Sequence, residues 1–186
     1  MLNKWVISKD FDFCYGHRVW NQSLDPEFSI DNRCVCRHLH GHQGKIVVKL
    51  EASRLENGMV TDFKHLNWFK VFLDNTLDHK FIVDKSDPMF NRIIPHSYNV
   101  NHNIIKYPWI EKAEKYSIIN PDYFKTENDD ALVEILEGFV VVSFVPTSEN
   151  LSRWLYEIID KKMGAMAKVS SVQFFETPKS ASYYGQ

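Results

Sequence analysis

The sequence predicts an α+β fold in which an antiparallel sheet carries helices on one face. Three observations lead there. Residues 4–17 and 40–52 alternate apolar and polar side chains with the period of two that a half-buried strand imposes. Lys168–Glu176 is a third such run. Leu151, Trp154, Leu155, Ile158 and Ile159 recur at i, i+3, i+4, i+7 and i+8, the stripe of an amphipathic helix. The element order is strand, strand, helix, insertion, helix, strand, strand, and hairpins separated by helices favour antiparallel pairing.

Each element has its own signal. In 4–17, Trp5, Ile7, Phe11, Phe13 and Tyr15 share one side, interrupted by Lys9, and His17 ends that side. A polar loop runs from Asn21 to about Arg37. In 40–52, Ile46, Val48 and Leu50 share a face that His40 and His42 continue toward the start of the strand. Asn57-Gly58 marks a turn. Thr61-Asp62 can cap a helix running to about Asn75, with Phe63, Leu66, Phe69, Val71 and Leu73 as core candidates. Residues of about 86–130 are polar and irregular, with prolines at 88, 95, 108 and 121, and read as an insertion within one domain spanning 1–186. Asp129–Glu137 can form a short helix ended by Gly138, and Phe139–Val145 a strand ended by Pro146. Thr147-Ser148 caps the long helix, and Ser180–Tyr184 forms a last short strand.

Composition bounds the function. The chain has 186 residues, 44% hydrophobic and 14% aromatic, enough for a packed core. A net charge of −2 excludes a broad electrostatic footprint for nucleic acid or an anionic membrane. No apolar run approaches the roughly 18 residues of a membrane span, and Met1–Asp10 has no apolar signal core, so a cytoplasmic protein is expected. Three cysteines, Cys14, Cys34 and Cys36, argue against a disulfide framework. Cys14, inside an apolar strand, reads as a buried inert thiol.

The histidines carry the chemistry. Side chains at i and i+2 of a strand point the same way, so His40 and His42 can reach one ion. If the first two strands form an antiparallel pair, His17 supplies a third nitrogen. Three neutral imidazoles with an open fourth position are the pattern of a catalytic zinc site, although imidazole also suits other transition metals. A structural site that adds Cys34 and Cys36 is the alternative, against the usual finger spacings. Asp78-His79 is either an oriented general acid/base pair or a solvated turn. Glu176, in register with Val172 and Phe174, either reaches water or anchors a ligand, because a carboxylate accepts paired hydrogen bonds from an amidine-like edge. His38, His65, His96 and His102 read as structural or solvated.

His17 in its aromatic strand, Cys36-Arg37-His38-Leu39-His40-Gly41-His42, Gly58-Met59-Val60-Thr61-Asp62-Phe63, Leu77-Asp78-His79, Pro146-Thr147-Ser148-Glu149-Asn150 and Glu176-Thr177 occur in that order. This set resembles the 6-pyruvoyl- and 6-carboxy-tetrahydropterin synthase family over roughly 1–85 and 140–186. The resemblance implies the tunnelling fold (T-fold), a four-stranded antiparallel sheet with two helices that assembles into an oligomeric β-barrel. It implies homohexamers, dimers of trimers, with sites between subunits. It also implies zinc on His17, His40 and His42, catalytic roles for Cys36, Asp78, His79 and Glu176, and a substrate pocket lined by Glu176, Thr147 and Ser148. Arg18, Arg33 and Arg37 are loop candidates for meeting a triphosphate.

Cysteine spacing bears on the product. Cys36 fits the Cys-x3-His-Gly-His of the carboxy-forming branch, and Cys34 fits the Cys-x5-His-Gly-His of the pyruvoyl-forming branch. The local text around Cys36 and the Pro-Thr-Ser-Glu-Asn run look closer to the carboxy-forming branch. The expected activity is therefore a zinc-dependent lyase turning 7,8-dihydroneopterin triphosphate into 6-carboxy-5,6,7,8-tetrahydropterin, acetaldehyde and triphosphate, in 7-deazaguanine (queuosine) synthesis. The alternatives are 6-pyruvoyl-tetrahydropterin synthase and a non-catalytic zinc-containing pterin- or purine-binding module. A zinc hydrolase is disfavoured because no His-Glu-x-x-His arrangement exists.

Overall fold

The computed structural model of the protein describes residues 4–30, 33–94, 104–105, 116–119 and 130–185. Its strands are β1 (Trp5–His17), β2 (His40–Ala52), β3 (Lys80–Asp84), β4 (Ile104–Ile105), β5 (Tyr116–Ile119), β6 (Phe139–Val142), β7 (Lys168–Thr177) and β8 (Ser180–Gly185). Its helices are α1 (Asn67–Thr76), α2 (Phe90–Ile93), α3 (Asp130–Glu137) and α4 (Ser148–Met163). All the strands described join one sheet in the order β4-β5-β6-β3-β1-β2-β7-β8.

The expected four-stranded antiparallel sheet is present as the block β1-β2-β7-β8. It is not the whole sheet. β3 lies parallel to β1, and β6 lies parallel to β3, so the sheet is mixed and eight strands wide among the described residues. Both added strands are short. Val140 and Val142 of β6 join the main core while Val141 joins a smaller cluster with Ile94 and Leu136, so β6 is covered on both faces. β6 falls within the expected strand Phe139–Val145, whereas the short β3 is a strand the sequence reading did not include. Within about 86–130, α2 and the paired edge strands β4 and β5 are described; β5 pairs with β6 and extends the sheet. Pro95, Pro108, Pro121, His96 and His102 lie outside the described residues.

The main core lies on one face of the antiparallel block, where α1 and α4 pack. Phe11, Phe13 and Tyr15 of β1, Ile46, Val48 and Leu50 of β2, and Val172 and Phe174 of β7 meet Phe69, Phe72 and Leu73 of α1 and the whole predicted stripe of α4. Trp154 anchors α4, fully buried with its ring 6.4 Å from Phe72 and 5.7 Å from Phe144. The α1 stripe differs from expectation. Its lead-in, Phe63–Leu66, is a 3₁₀ turn capped by Asp62, whose carboxylate accepts the Lys64 amide at 2.7 Å. Val71 lies two residues from buried Phe69, about 200° round the helix, and so faces solvent with Phe63, while Phe72 at i+3 goes inside.

Cys14 corrects the sequence reading. Phe13 and Tyr15 point into the core, so the residue between them points out, and its thiol is exposed. On the same sheet, Glu51 lies opposite Lys168 and accepts hydrogen bonds from Lys4 and Lys168, each at 2.9 Å. These bonds hold its carboxyl down at about 2.

Trp154→Ala is expected to lower unfolding stability by about 3–5 kcal/mol in urea titration, since it empties a fully buried indole site. Glu51 has a folded pKa below its ordinary value of 4.5, so its stabilisation is complete above pH 4.5 and is lost as pH falls toward 2. The stability gap between wild type and Glu51→Gln should therefore shrink across that window in acid titration; a gap independent of pH would refute the assignment.

Candidate metal centre

The β1–β2 ladder sets the centre. Its antiparallel register places His17 opposite His40 and Tyr15 opposite His42. All the imidazoles leave the sheet on the helix-covered face, beside the start of α4. Gly16 leaves room for the Phe81 ring of the neighbouring β3, which a Cβ at that position would overlap.

Backbone carbonyls orient two of the rings. His17, fully buried, donates its Nδ1–H to the Pro146 carbonyl at 2.7 Å. His40 donates its Nδ1–H to the His38 carbonyl at 2.8 Å. With Nδ1 fixed as a donor, each ring turns its Nε2 lone pair to the same point, and the two Nε2 atoms lie 3.1 Å apart. Glu176 faces them: its Oε1 is 3.2 Å from His17 Nε2 and 3.5 Å from His42 Nε2. Glu176 shares by strand alternation the face of buried Val172 and Phe174, and the β7–β8 register shifts around it, between Phe175 and Thr177. The Tyr15 ring backs the cluster, with centroids 5.2 Å from His17 and 5.6 Å from His42.

The electrostatics fit a bound cation. The Glu176 carboxyl is held below its ordinary value, chiefly by the adjoining His17 ring, against the opposing effect of burial. Burial pushes the His42 imidazole down, with the neighbouring His17 and His40 adding to this and Glu176 opposing, so His42 favours its neutral, lone-pair form. Burial also pushes the Tyr15 phenol up, and Glu176 adds to it. The His42 Nε2 is buried without a hydrogen-bond partner. An orphaned buried nitrogen costs about 1–3 kcal/mol, and an ion at this point would satisfy it. Ligand atoms of His17, His40, His42 and Glu176 all lie within 4.8 Å of one another. The donor set, three imidazoles and a carboxylate, suits a first-row transition metal. The expected fourth position is thus faced by Glu176.

The other predicted residues fall elsewhere. Thr147 caps α4, accepting the Asn150 amide at 3.3 Å, and the Ser148 carbonyl accepts the Ser182 hydroxyl at 2.6 Å. Both follow Pro146 directly, so the cap that starts α4 also positions the carbonyl that holds His17. Cys36 is half-buried in the 3₁₀ turn Val35–Arg37, and its carbonyl accepts the Val19 amide at 2.8 Å, which ties that turn to the segment leaving His17. Cys34 heads the same turn. Arg18 pairs with buried Asp87 at 2.8 Å, and Arg37 donates to the Gln22 carbonyl. Asp78 and His79 cluster with Cys14 on the opposite face of β1. Sequence reasoning missed Pro146 and His38 as orienting carbonyls, because any residue can supply a carbonyl and none advertises it.

Fold and centre together define an α+β protein of the T-fold class with a three-imidazole, one-carboxylate centre at the end of its sheet. The chain belongs to the 6-pyruvoyl tetrahydropterin synthase family, whose family model matches residues 6–186. It is 31% identical to the 6-carboxy-5,6,7,8-tetrahydropterin synthase of Aquifex aeolicus over 97% of this chain and 98% of that protein. Among solved structures, an uncharacterised protein of Wolinella succinogenes is 46% identical, with a TM-score of 0.88 and 99% of each chain covered. The 6-pyruvoyl tetrahydropterin synthase of Caenorhabditis elegans, 20% identical, shares the fold with a TM-score of 0.51 over 100% of this chain and 97% of that one. Among the described residues no helix is long and apolar enough to cross a membrane.

His17→Ala, His40→Ala and His42→Ala are each expected to weaken metal binding by more than the roughly 10–100-fold typical of losing an outer-shell partner. Elemental analysis after dialysis against a graded chelator measures this; wild-type retention in His17→Ala would sink the assignment.

Proposed function

We propose that this chain converts 7,8-dihydroneopterin triphosphate to 6-carboxy-5,6,7,8-tetrahydropterin, with release of acetaldehyde and triphosphate, as a zinc-dependent lyase feeding 7-deazaguanine synthesis. The observation that carries the reading is the convergence of His17 and His40 Nε2 with unpartnered His42 Nε2 opposite Glu176. The Aquifex aeolicus relative, matched along nearly its whole length, supports the carboxy product.

Zinc held by His17, His40 and His42 would polarise substrate side-chain oxygens and acidify the adjacent C–H bonds. The chain's own residues do the rest. Cys36, half-buried in the turn Val35–Arg37, is the group that takes a proton from the side chain. His79, its Nδ1 held 3.1 Å from the Asp78 carboxylate, is oriented for the opposite proton transfer. Glu176 turns one oxygen to the imidazoles and can accept the paired N–H groups of the pterin edge. Thr147 and Ser148, at the start of α4, line the pocket.

His79 is 80% exposed and stands on the face of β1 opposite the imidazoles. It therefore serves the centre of a second copy, in a homo-oligomer whose sites lie between subunits, a dimer of trimers. Cys34 and Cys36 bracket one turn, so a pyruvoyl-forming enzyme using Cys34 is the second reading.

Cys36→Ala should abolish turnover, by about 10²-fold or more, while metal content stays intact. Mass spectrometry of the product from dihydroneopterin triphosphate should show the carboxy compound; loss of activity in Cys34→Ala with full activity in Cys36→Ala would transfer the role and favour the pyruvoyl product. Co-refolding inactive Cys36→Ala with inactive His79→Ala chains should restore part of the activity. No recovery would contradict a site shared between subunits.

A further inference from the structure

We propose that Cys14, Asp78 and His79 form a second transition-metal site, separate from the three-imidazole centre. Cys14 stands on the outer face of β1, three residues before His17 and on the other side of the sheet. Two backbone clips fix it against the turn after α1. The Cys14 amide donates to Asp78 Oδ1 at 2.7 Å, and the His79 amide donates to the Cys14 carbonyl at 2.7 Å. The turn itself is held in an unusual shape: His79 has φ +58°, the left-handed region that a non-glycine residue occupies only when its surroundings enforce it. Thiol, carboxylate and imidazole are thereby gathered on one side, with their ligand atoms within 4.8 Å of one another.

The donor set and spacing suit zinc or cobalt. Tetrahedral bonds of ordinary length to nitrogen, oxygen and sulfur place ligand atoms about 3.3–3.8 Å apart, so side-chain rotations bring these three into range without moving the backbone. Thiolate plus imidazole selects a borderline-soft ion over magnesium or calcium. Asp78 is available as an anion: its carboxyl is held below its ordinary value by the Cys14 amide and His79 against the opposing effect of its burial. The nearest lysine on the strand, Lys80, is turned away to the Glu137 carbonyl. In the single chain the site opens on a shallow surface hollow of about 490 Å³ that Cys14, His79 and Phe81 help to line.

Occupancy would take the His79 lone pair. A second equivalent of zinc is therefore expected to inhibit turnover in wild type and not in Cys14→Ser. This consequence rests on the proposed function; the binding itself does not.

The test uses Co²⁺ titrated into metal-stripped full-length protein. The imidazole centre has no sulfur ligand, so a sulfur-to-cobalt charge-transfer band in the near ultraviolet reports the second site alone. Wild type should bind a second equivalent that brings in this band. Cys14→Ser should lose both the band and that equivalent, His79→Gln should lose the second equivalent, and Cys36→Ser and His42→Ala should keep the band. Saturation of wild type without a sulfur band overturns the proposal. So does a band that survives Cys14→Ser or disappears with Cys36→Ser. Failure of the imidazole centre would appear separately, as loss of the band-free equivalent.

Discussion

The hydrogen-bonded ladder that runs Trp5 to His17 against Ala52 back to His40 is the constraint on which the rest of the structure depends. It does two jobs with one register. Over most of its length it stacks Phe11, Phe13 and Tyr15 beside Ile46, Val48 and Leu50, and that apolar surface holds α1 and α4. At its end the same alternation delivers His17, His40 and His42 to one point. A slip of one residue would turn every one of these side chains to the other face. Core and candidate metal centre are therefore specified together by one register.

The ladder brings the rings together but does not aim them. Aim comes from three places that lie far apart in the chain. The Pro146 carbonyl, 129 residues from His17, fixes one ring; the His38 carbonyl fixes another; the end of β7 brings the Glu176 carboxylate to the front. Each is a backbone feature at the margin of an element. The N-cap of α4 shows the economy of this arrangement, since Thr147 satisfies the helix end while the residue before it orients a ligand.

The parallel strands β3 and β6 give the sheet a second flank. β3 starts directly after His79, so the turn that presents Asp78 and His79 is pinned between α1 and the sheet. Asp84, at the end of β3, accepts the Trp20 indole N–H at 2.9 Å, and Asp87 holds Arg18. Both tie the loop after His17 to the segment that follows β3. These contacts brace the chain leaving the candidate metal centre, and β4 and β5 continue the sheet beyond β6.

The sequence by itself determined the strands and helices of the antiparallel block, the stripe of α4, and the three imidazoles, because each rests on a local period or a spacing of two. His40 and His42 share a face in any strand, and the alternation through Tyr15 carries His17 to the same side. Asp78-His79 and Glu176 were legible as residue types in suggestive places, without their geometry. Tertiary structure alone decided that Glu176 faces the imidazoles, that Asp78 and His79 stand on the other side of β1 with Cys14, and that two parallel strands widen the sheet. It also corrected the α1 stripe, where Phe72 and not Val71 follows Phe69 into the core, and Cys14, whose exposure follows from strand parity. The division has a physical reason. Periodicity records which face a side chain takes, but distance between faces, carbonyl partners and parallel pairings join residues far apart in the chain and leave no local mark.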